Sequence, residues 1–179
     1  MTLIQSELTY PSIATACAIV GSVYDVKSRR VPNFITVPGF VLGLGMHLVL
    51  GGWRQMLSSL AAGVICGLVF LVFYLSGGMG AGDVKLIMAV GCIAGLSHIA
   101  YILVLTAICG GVMALGLALV RGRLRQTIMN VGELVTHHRQ KGLQPHPDLN
   151  IANAHTLRLP YALAIASGCI LTLYIQAAS

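Results

Sequence analysis

Residues 56–76 read MLSSLAAGVICGLVFLVFYLS, without a charged side chain, and residues 77–85 continue as GGMGAGDVK. A helix that crosses a bilayer needs about 20 mostly apolar residues, so the first stretch is long enough to span one. Glycine lowers helix propensity by about 1 kcal/mol per residue, so the dense glycines that follow are expected to end that helix. The two stretches predict a transmembrane helix, a break in the chain, and a new helix that begins near Asp83.

The rest of the chain extends the same pattern. Of its 179 residues, 56% are hydrophobic and 9% are charged, and the mean hydropathy is +0.85, whereas about a quarter of the residues in a soluble domain are charged. The apolar runs are continuous rather than alternating, which disfavours a transmembrane β-barrel. We therefore predict an all-α, polytopic membrane protein, formed by one domain over residues 1–179, with about six transmembrane helices. The candidate spans are residues 8–25, 34–51, 56–76, 83–96, 98–120 and 158–177.

The basic residues predict the orientation of these helices. Ten of the eleven Lys and Arg residues fall on one side of the predicted topology, and only Arg54 falls on the other. Since Lys and Arg are enriched in cytoplasmic loops, that side is expected to be cytoplasmic. Asp25 ends the first span and Asp83 begins the fourth, so both acids are expected on this side at the same depth. The net charge of +6 is then explained by topology and by anionic lipid rather than by nucleic-acid binding.

The long loop at residues 121–157 has a character of its own. Leu124, Ile128, Val131 and Val135 recur at helical spacing among polar residues, which predicts an amphipathic helix lying in the membrane interface. The loop also contains scattered histidines, but their spacing does not indicate a metal site. We therefore expect no bound metal. The histidines are His137, His138, His146 and His155.

Asp25 and Asp83 are the candidate functional residues, because an ionisable carboxyl at the edge of a bilayer is costly and is functional by default. Each also has a structural interpretation: Asp25 could be neutralised by Lys27 or Arg29, and Asp83 could be the N-cap of its helix. Two carboxyls brought close together do not both ionise freely, so one holds a proton beside a charged partner. Such a pair can activate water against a peptide carbonyl and protonate the leaving amine.

The sequence around these acids resembles a known family. Asp25 opens the stretch DVKSRRVPN, GAGDVKL follows at residues 80–86, and LPYALAIA stands at residues 159–166. In this order the three stretches resemble the type IV prepilin peptidases, which are aspartic proteases of the GxGD kind. In that family the Asp before a basic stretch and Pro-Asn supplies one catalytic carboxyl, and the Asp of GxGD supplies the other.

The resemblance implies an aspartic endopeptidase that uses Asp25 and Asp83 and needs no cofactor. The expected substrates are type IV or Flp-like prepilins, whose short basic leader is cut off, usually after a glycine, at the cytoplasmic face of the bacterial inner membrane. The expected partners are these precursors, membrane lipid and the pilus assembly machinery. The expected supporting residues are Gly80, Gly82, Lys85, Arg30, Pro32, Asn33, Pro160 and Tyr161.

These supporting residues have expected roles of different kinds. Gly80 and Gly82 would let the substrate backbone approach Asp83, and Lys85 would pair with a substrate acid or anchor to lipid headgroups. Arg30, Pro32 and Asn33 would shape the turn into the second span, with Asn33 as its N-cap. Tyr161 would hydrogen-bond an aspartate or the substrate, or lie in the aromatic belt of the membrane interface.

The sequence departs from the longer family members at one point. Those members carry a cysteine-rich segment between their first spans, associated with methylation of the new N-terminus, and here only residues 26–33 separate the two spans. The five cysteines instead lie inside apolar spans, without a C-x-x-C pair. We therefore expect a peptidase without N-methyltransferase activity, similar to the short enzymes of tight-adherence (Flp) pilus systems.

Two other classes of function stay open at this level. Membrane-boundary acids and glycine-broken helices also occur in ion or proton transporters, although those place their acids near the bilayer midplane and show inverted repeats. A non-enzymatic scaffold of a secretion machine would leave the acids without a role. A cleavage assay with substitutions at both acids separates these alternatives.

Overall fold

The computed structural model describes residues 3–122, 125, 129 and 160–178, and most of these residues form helices, the first four of which are joined by short turns. The helices are α1 (Leu3–Ser28), α2 (Asn33–Leu75), α3 (Ala81–Ala94), α4 (Ile99–Val120) and α5 (Tyr161–Ala178). No strand occurs within these ranges, and the prediction of an all-α membrane protein is confirmed. The amphipathic helix predicted within residues 121–157 lies outside the described residues.

Three helices, α2, α4 and α5, are long and apolar enough to cross a membrane. Helix α3 has 14 residues and is about 21 Å long at about 1.5 Å per residue, which is less than the hydrocarbon thickness of about 30 Å. The fourth predicted span therefore corresponds to a helix that is too short to cross on its own. The count of six transmembrane helices stays a prediction.

Helix α2 combines two of the predicted spans. It has 43 residues and a length of about 64 Å, about twice the hydrocarbon thickness of a bilayer. The helix is interrupted at Gly52, whose φ of 74° and ψ of −177° lie outside the helical region. Only glycine adopts these angles without strain, so the break divides α2 into a first half, residues 33–51, and a second half, residues 53–75.

The core is formed around α3. Its most buried side chains include Leu86, Ile87, Val90 and Ile93, each at most 1% exposed. The helix packs extensively against α2 and also contacts α1 and α5. Membrane helices associate through small residues that let their backbones approach, and α2 supplies such a residue where it meets α3. A Cβ atom added at Gly43 would lie 2.8 Å from the backbone of Cys92 and of Ile93, so this contact requires a glycine.

Candidate active site

Asp25 lies in the last turns of α1, where the chain reverses into α2. The backbone N–H of Arg29 donates to the Asp25 carbonyl oxygen at 2.7 Å, and Arg29 has a φ of 53°, which ends the helix in a left-handed conformation. The Ser28 hydroxyl donates to the carbonyl oxygens of Tyr24 and Arg30, at 2.8 and 3.0 Å. These contacts close a short α1–α2 connection of residues 29–32 and fix Asp25 near it, with its side chain half-buried.

Asp83 lies in the first turn of α3, directly after the glycine-rich break. Its side chain is 7% exposed, and its Oδ2 accepts a hydrogen bond from the Gly80 N–H at 3.3 Å. Its Oδ1 is buried without a hydrogen-bond partner. The N-cap position belongs to Gly80, so Asp83 is not the N-cap but reaches back to it from three residues further on. A buried carboxyl oxygen without a partner is costly in a purely structural residue and is typical of a functional site.

The beginning of α3 packs directly against the α1–α2 connection. A Cβ atom added at Gly82 would lie 3.2 Å from the N and Cβ atoms of Val31 and 3.3 Å from its carbonyl oxygen. Val31 itself is buried, at 7% exposed. The sequence predicts that Gly82 makes room for a substrate backbone. In the structure it makes room for the connection that follows Asp25, and this contact brings the ends of α1 and α3 together.

Helix α5 contributes the third part of the site. The backbone N–H of Ala162, in the first turn of α5, lies near the Asp25 side chain and interacts favourably with its carboxylate. The N-terminal N–H groups of a helix have no partner within the helix, and the helix dipole there favours a negative charge. The half-buried Tyr161 side chain interacts electrostatically with Asp83, so the first turn of α5 contacts both acids.

The two acids therefore lie near each other. The Asp83 carboxyl is close enough to Asp25 for an electrostatic interaction between them, although 57 residues of chain separate them. The interactions of Ala162 with Asp25 and of Tyr161 with Asp83 place the first turn of α5 beside the same pair. The sequence analysis identified Asp25, Asp83 and Tyr161 but not Ala162. Ala162 contributes through its backbone N–H, which any residue except proline has, so its residue type does not reveal this role.

The other candidate residues lie apart from this pair. Pro32 is the N-cap of α2, and Asn33 is the first residue of the helix, so the expectation of Asn33 as N-cap is wrong by one residue. The Lys85 Nζ donates to Asn33 Oδ1 at 3.0 Å, on the side of α3 that faces α2. Arg30 is exposed and contributes its carbonyl oxygen to the connection. Pro160 precedes α5 and accepts a hydrogen bond from the Leu163 N–H at 3.0 Å.

No group of three or more metal-binding side chains occurs among the residues that the structure describes. The loop histidines named above lie outside those residues. The described site accordingly contains two carboxyls, a phenol and helix N-terminal N–H groups, which together support proton transfer and the positioning of water.

Comparison with known proteins shows which protein family the chain matches. The family model described as the type IV leader peptidase family matches residues 12–115, a range that contains both acids. A preflagellin peptidase from Methanococcus voltae is 31% identical over 80 residues, which cover 42% of this chain and 34% of that protein. The matched part of the chain thus spans about a third of the length of this relative. No solved structure matches.

Proposed function

We propose, on the premise that this chain belongs to the type IV leader peptidase family, that it removes the leader peptide from pilin-like precursors by aspartic-protease chemistry. The observation that carries this proposal is the meeting of Asp25 and Asp83 at the adjoining ends of α1 and α3. In a chain with five acids, two of them share one site, and the hydrogen bond of Asp83 to the N-cap residue of α3 gives a structural role to only one of them.

The reaction requires one ionised and one protonated carboxyl. The ionised carboxylate takes a proton from a water molecule as the water oxygen attacks the scissile carbonyl carbon, while the protonated carboxyl donates to the carbonyl oxygen. The tetrahedral intermediate then breaks its C–N bond: the first carboxyl delivers the proton taken from water to the leaving amine, and a hydroxyl group of the intermediate returns a proton to the second carboxylate as the carbonyl re-forms. The bond is hydrolysed without a covalent enzyme intermediate.

The difference in burial between the two acids favours one assignment of these roles. Asp25 is half-buried beside the N-terminus of α5, whereas Asp83 is 7% exposed, and burial disfavours the charged form of a carboxyl. Asp83 Oδ1 is buried without a partner and is available to carry a proton towards a substrate oxygen. We assign Asp25 as the base that activates water and Asp83 as the acid.

The finer features of the proposal follow from the topology and from the short connection after α1. The basic leader would lie on the side predicted to be cytoplasmic, with the apolar segment of the precursor in the bilayer, so that the scissile bond reaches the boundary where the acids lie. The α1–α2 connection of residues 29–32 has no room for a cysteine-rich segment, which supports a peptidase without methyltransferase activity. The Flp-type assignment rests on this short form.

The test is cleavage of a precursor by the purified protein. The substrate is a synthetic precursor with a basic leader that ends in glycine and an apolar segment after it, presented in detergent or in liposomes. Asp25→Asn and Asp83→Asn should each lower kcat by about 10²–10⁴-fold, the range that a general acid or base contributes. Asp148→Asn, a carboxyl-to-amide change in the loop at residues 121–157, is the matched control. Wild-type cleavage by either dyad variant would refute the mechanism, and acid-dependent ion flux in liposomes without cleavage would favour a transporter instead.

A further inference from the structure

A groove runs between α3 and the first half of α2, away from the acid pair. Its volume is about 290 Å³, and its lining residues are Asn33, Thr36, Val37, Phe40, Lys85 and Met88. Residues 83 and 85 are about 200° apart around a helix with 3.6 residues per turn. Asp83 faces α1 and α5, whereas Lys85 faces Asn33 of α2, so the groove and the dyad lie on opposite sides of α3.

One end of the groove carries polar groups that lack a hydrogen-bond or charge partner. Lys85 donates to the neutral Asn33 Oδ1 at 3.0 Å, and no carboxylate in the described part of the chain pairs with its charge. Thr36 is 3% exposed, and its Oγ1 is buried without a hydrogen-bond partner. A buried hydroxyl without a partner is rare in a protein interior, and a bound water, ion or ligand group beside it is one explanation. Together, a cation and a free hydroxyl donor form a site for an anion.

The remainder of the groove is apolar and lies further along α2 and α3. Asn33 and Lys85 lie in the first turns of α2 and α3, at the end predicted to be cytoplasmic. Val37, Phe40 and Met88 follow within one to two turns along the same helices, and Val37 is 57% exposed on the outer side of α2. A ligand that fits this order has an anionic head at the membrane boundary and an apolar tail directed into the bilayer.

We propose that the groove binds an anionic phospholipid of the cytoplasmic leaflet, with its phosphate on Lys85 Nζ and Thr36 Oγ1 and one acyl chain along Phe40 and Met88. Anionic inner-leaflet lipids attract Lys and Arg near the surface, so the ligand is present wherever the protein is inserted. The apolar helix of a precursor does not fit, because a helix is about 10 Å wide with its side chains and the groove is a small cavity. This inference does not rest on the proposed function.

The experiment measures lipid retention and stability together. The protein is placed in nanodiscs of phosphatidylcholine with or without phosphatidylglycerol, and retained lipid is counted by native mass spectrometry after extraction. Lys85→Gln removes the charge, and Thr36→Val removes the hydroxyl while keeping the shape. Each should weaken phosphatidylglycerol retention about fivefold, the equivalent of about 1 kcal/mol. Lys27→Gln, an exposed cation on the same side of the membrane, is the matched control and should retain lipid as the wild type does.

A second measurement separates lipid binding from simple misfolding. In phosphatidylcholine alone, Thr36→Val should be at least as stable as the wild type, because it removes a buried hydroxyl that has no partner. In phosphatidylglycerol the wild type should gain thermal stability that Thr36→Val and Lys85→Gln do not gain. Equal retention of the two lipids by the wild type, or unchanged retention by both variants, would overturn the proposal. Displacement of the bound lipid by the synthetic precursor would do so as well, in favour of a substrate subsite.

Discussion

Gly82→Ala tests whether the contact between the α1–α2 connection and α3 sets the geometry of the acid pair. The added Cβ would lie 3.2 Å from the N and Cβ atoms of Val31, which is a few tenths of an ångström closer than an ordinary contact. Gly82 lies within α3, its φ is not positive, and alanine is favoured over glycine in a helix by up to about 1 kcal/mol. The substitution should therefore leave the helix intact and push the connection away from α3.

The expected size of the effect follows from this displacement. A misplacement of about 1 Å in a catalytic constellation costs about 10²-fold in rate, so a shift of about 0.3–0.4 Å should cost roughly fivefold in kcat on the same scale. Overpacking costs about 1–3 kcal/mol, and the gain in helix propensity offsets part of it. We expect kcat for the synthetic precursor to fall about fivefold while the thermal unfolding midpoint changes little.

The control for this prediction is another helical glycine, Gly45 of α2. A Cβ added at Gly45 meets nothing within 4 Å, so Gly45→Ala should cleave at the wild-type rate. Adding Val31→Ala to Gly82→Ala should not restore the activity, because the added Cβ meets the N, Cβ and carbonyl oxygen of Val31, and alanine keeps all three atoms. The reasoning is refuted if Gly82→Ala cleaves within twofold of the wild type, or if Gly45→Ala loses as much activity as Gly82→Ala does.

Three further predictions concern the pair and the fold. The rate of precursor cleavage should follow a bell-shaped pH profile, because the pair of acids works with one shared proton; a flat profile between about pH 4 and 9 would contradict the shared proton. Tyr161→Phe should lower kcat about tenfold without changing thermal stability, since it removes only the hydroxyl group beside Asp83, and an unchanged kcat would make Tyr161 a packing residue. Gly52→Ala should destabilise the protein by about 1–3 kcal/mol in chemical denaturation, because the φ of 74° strains any residue with a Cβ. Unfolding at the wild-type denaturant concentration would show that α2 does not need its break.

The order of helices and the identity of the acids were determined by the sequence. In lipid, the backbone N–H and C=O groups of a long, continuous apolar run can all be hydrogen-bonded only if the run is helical. Composition therefore predicts an all-α membrane protein. The distribution of Lys and Arg predicts that the ends carrying Asp25 and Asp83 share a side. Both inferences concern where a residue lies along the chain and how deep it lies in the membrane. Hydropathy and charge indicate both of these positions directly.

The lateral arrangement of the helices was decided only by the tertiary structure. Hydropathy does not tell which helix lies beside which, because that is set by close packing of small residues such as Gly43 and Gly82, and each contact joins residues far apart in the chain. The same packing placed the Ala162 N–H beside Asp25 and turned Lys85 away from the pair of acids. The sequence shows which side chains are chemically capable of catalysis, and helix packing determines which of them lie together.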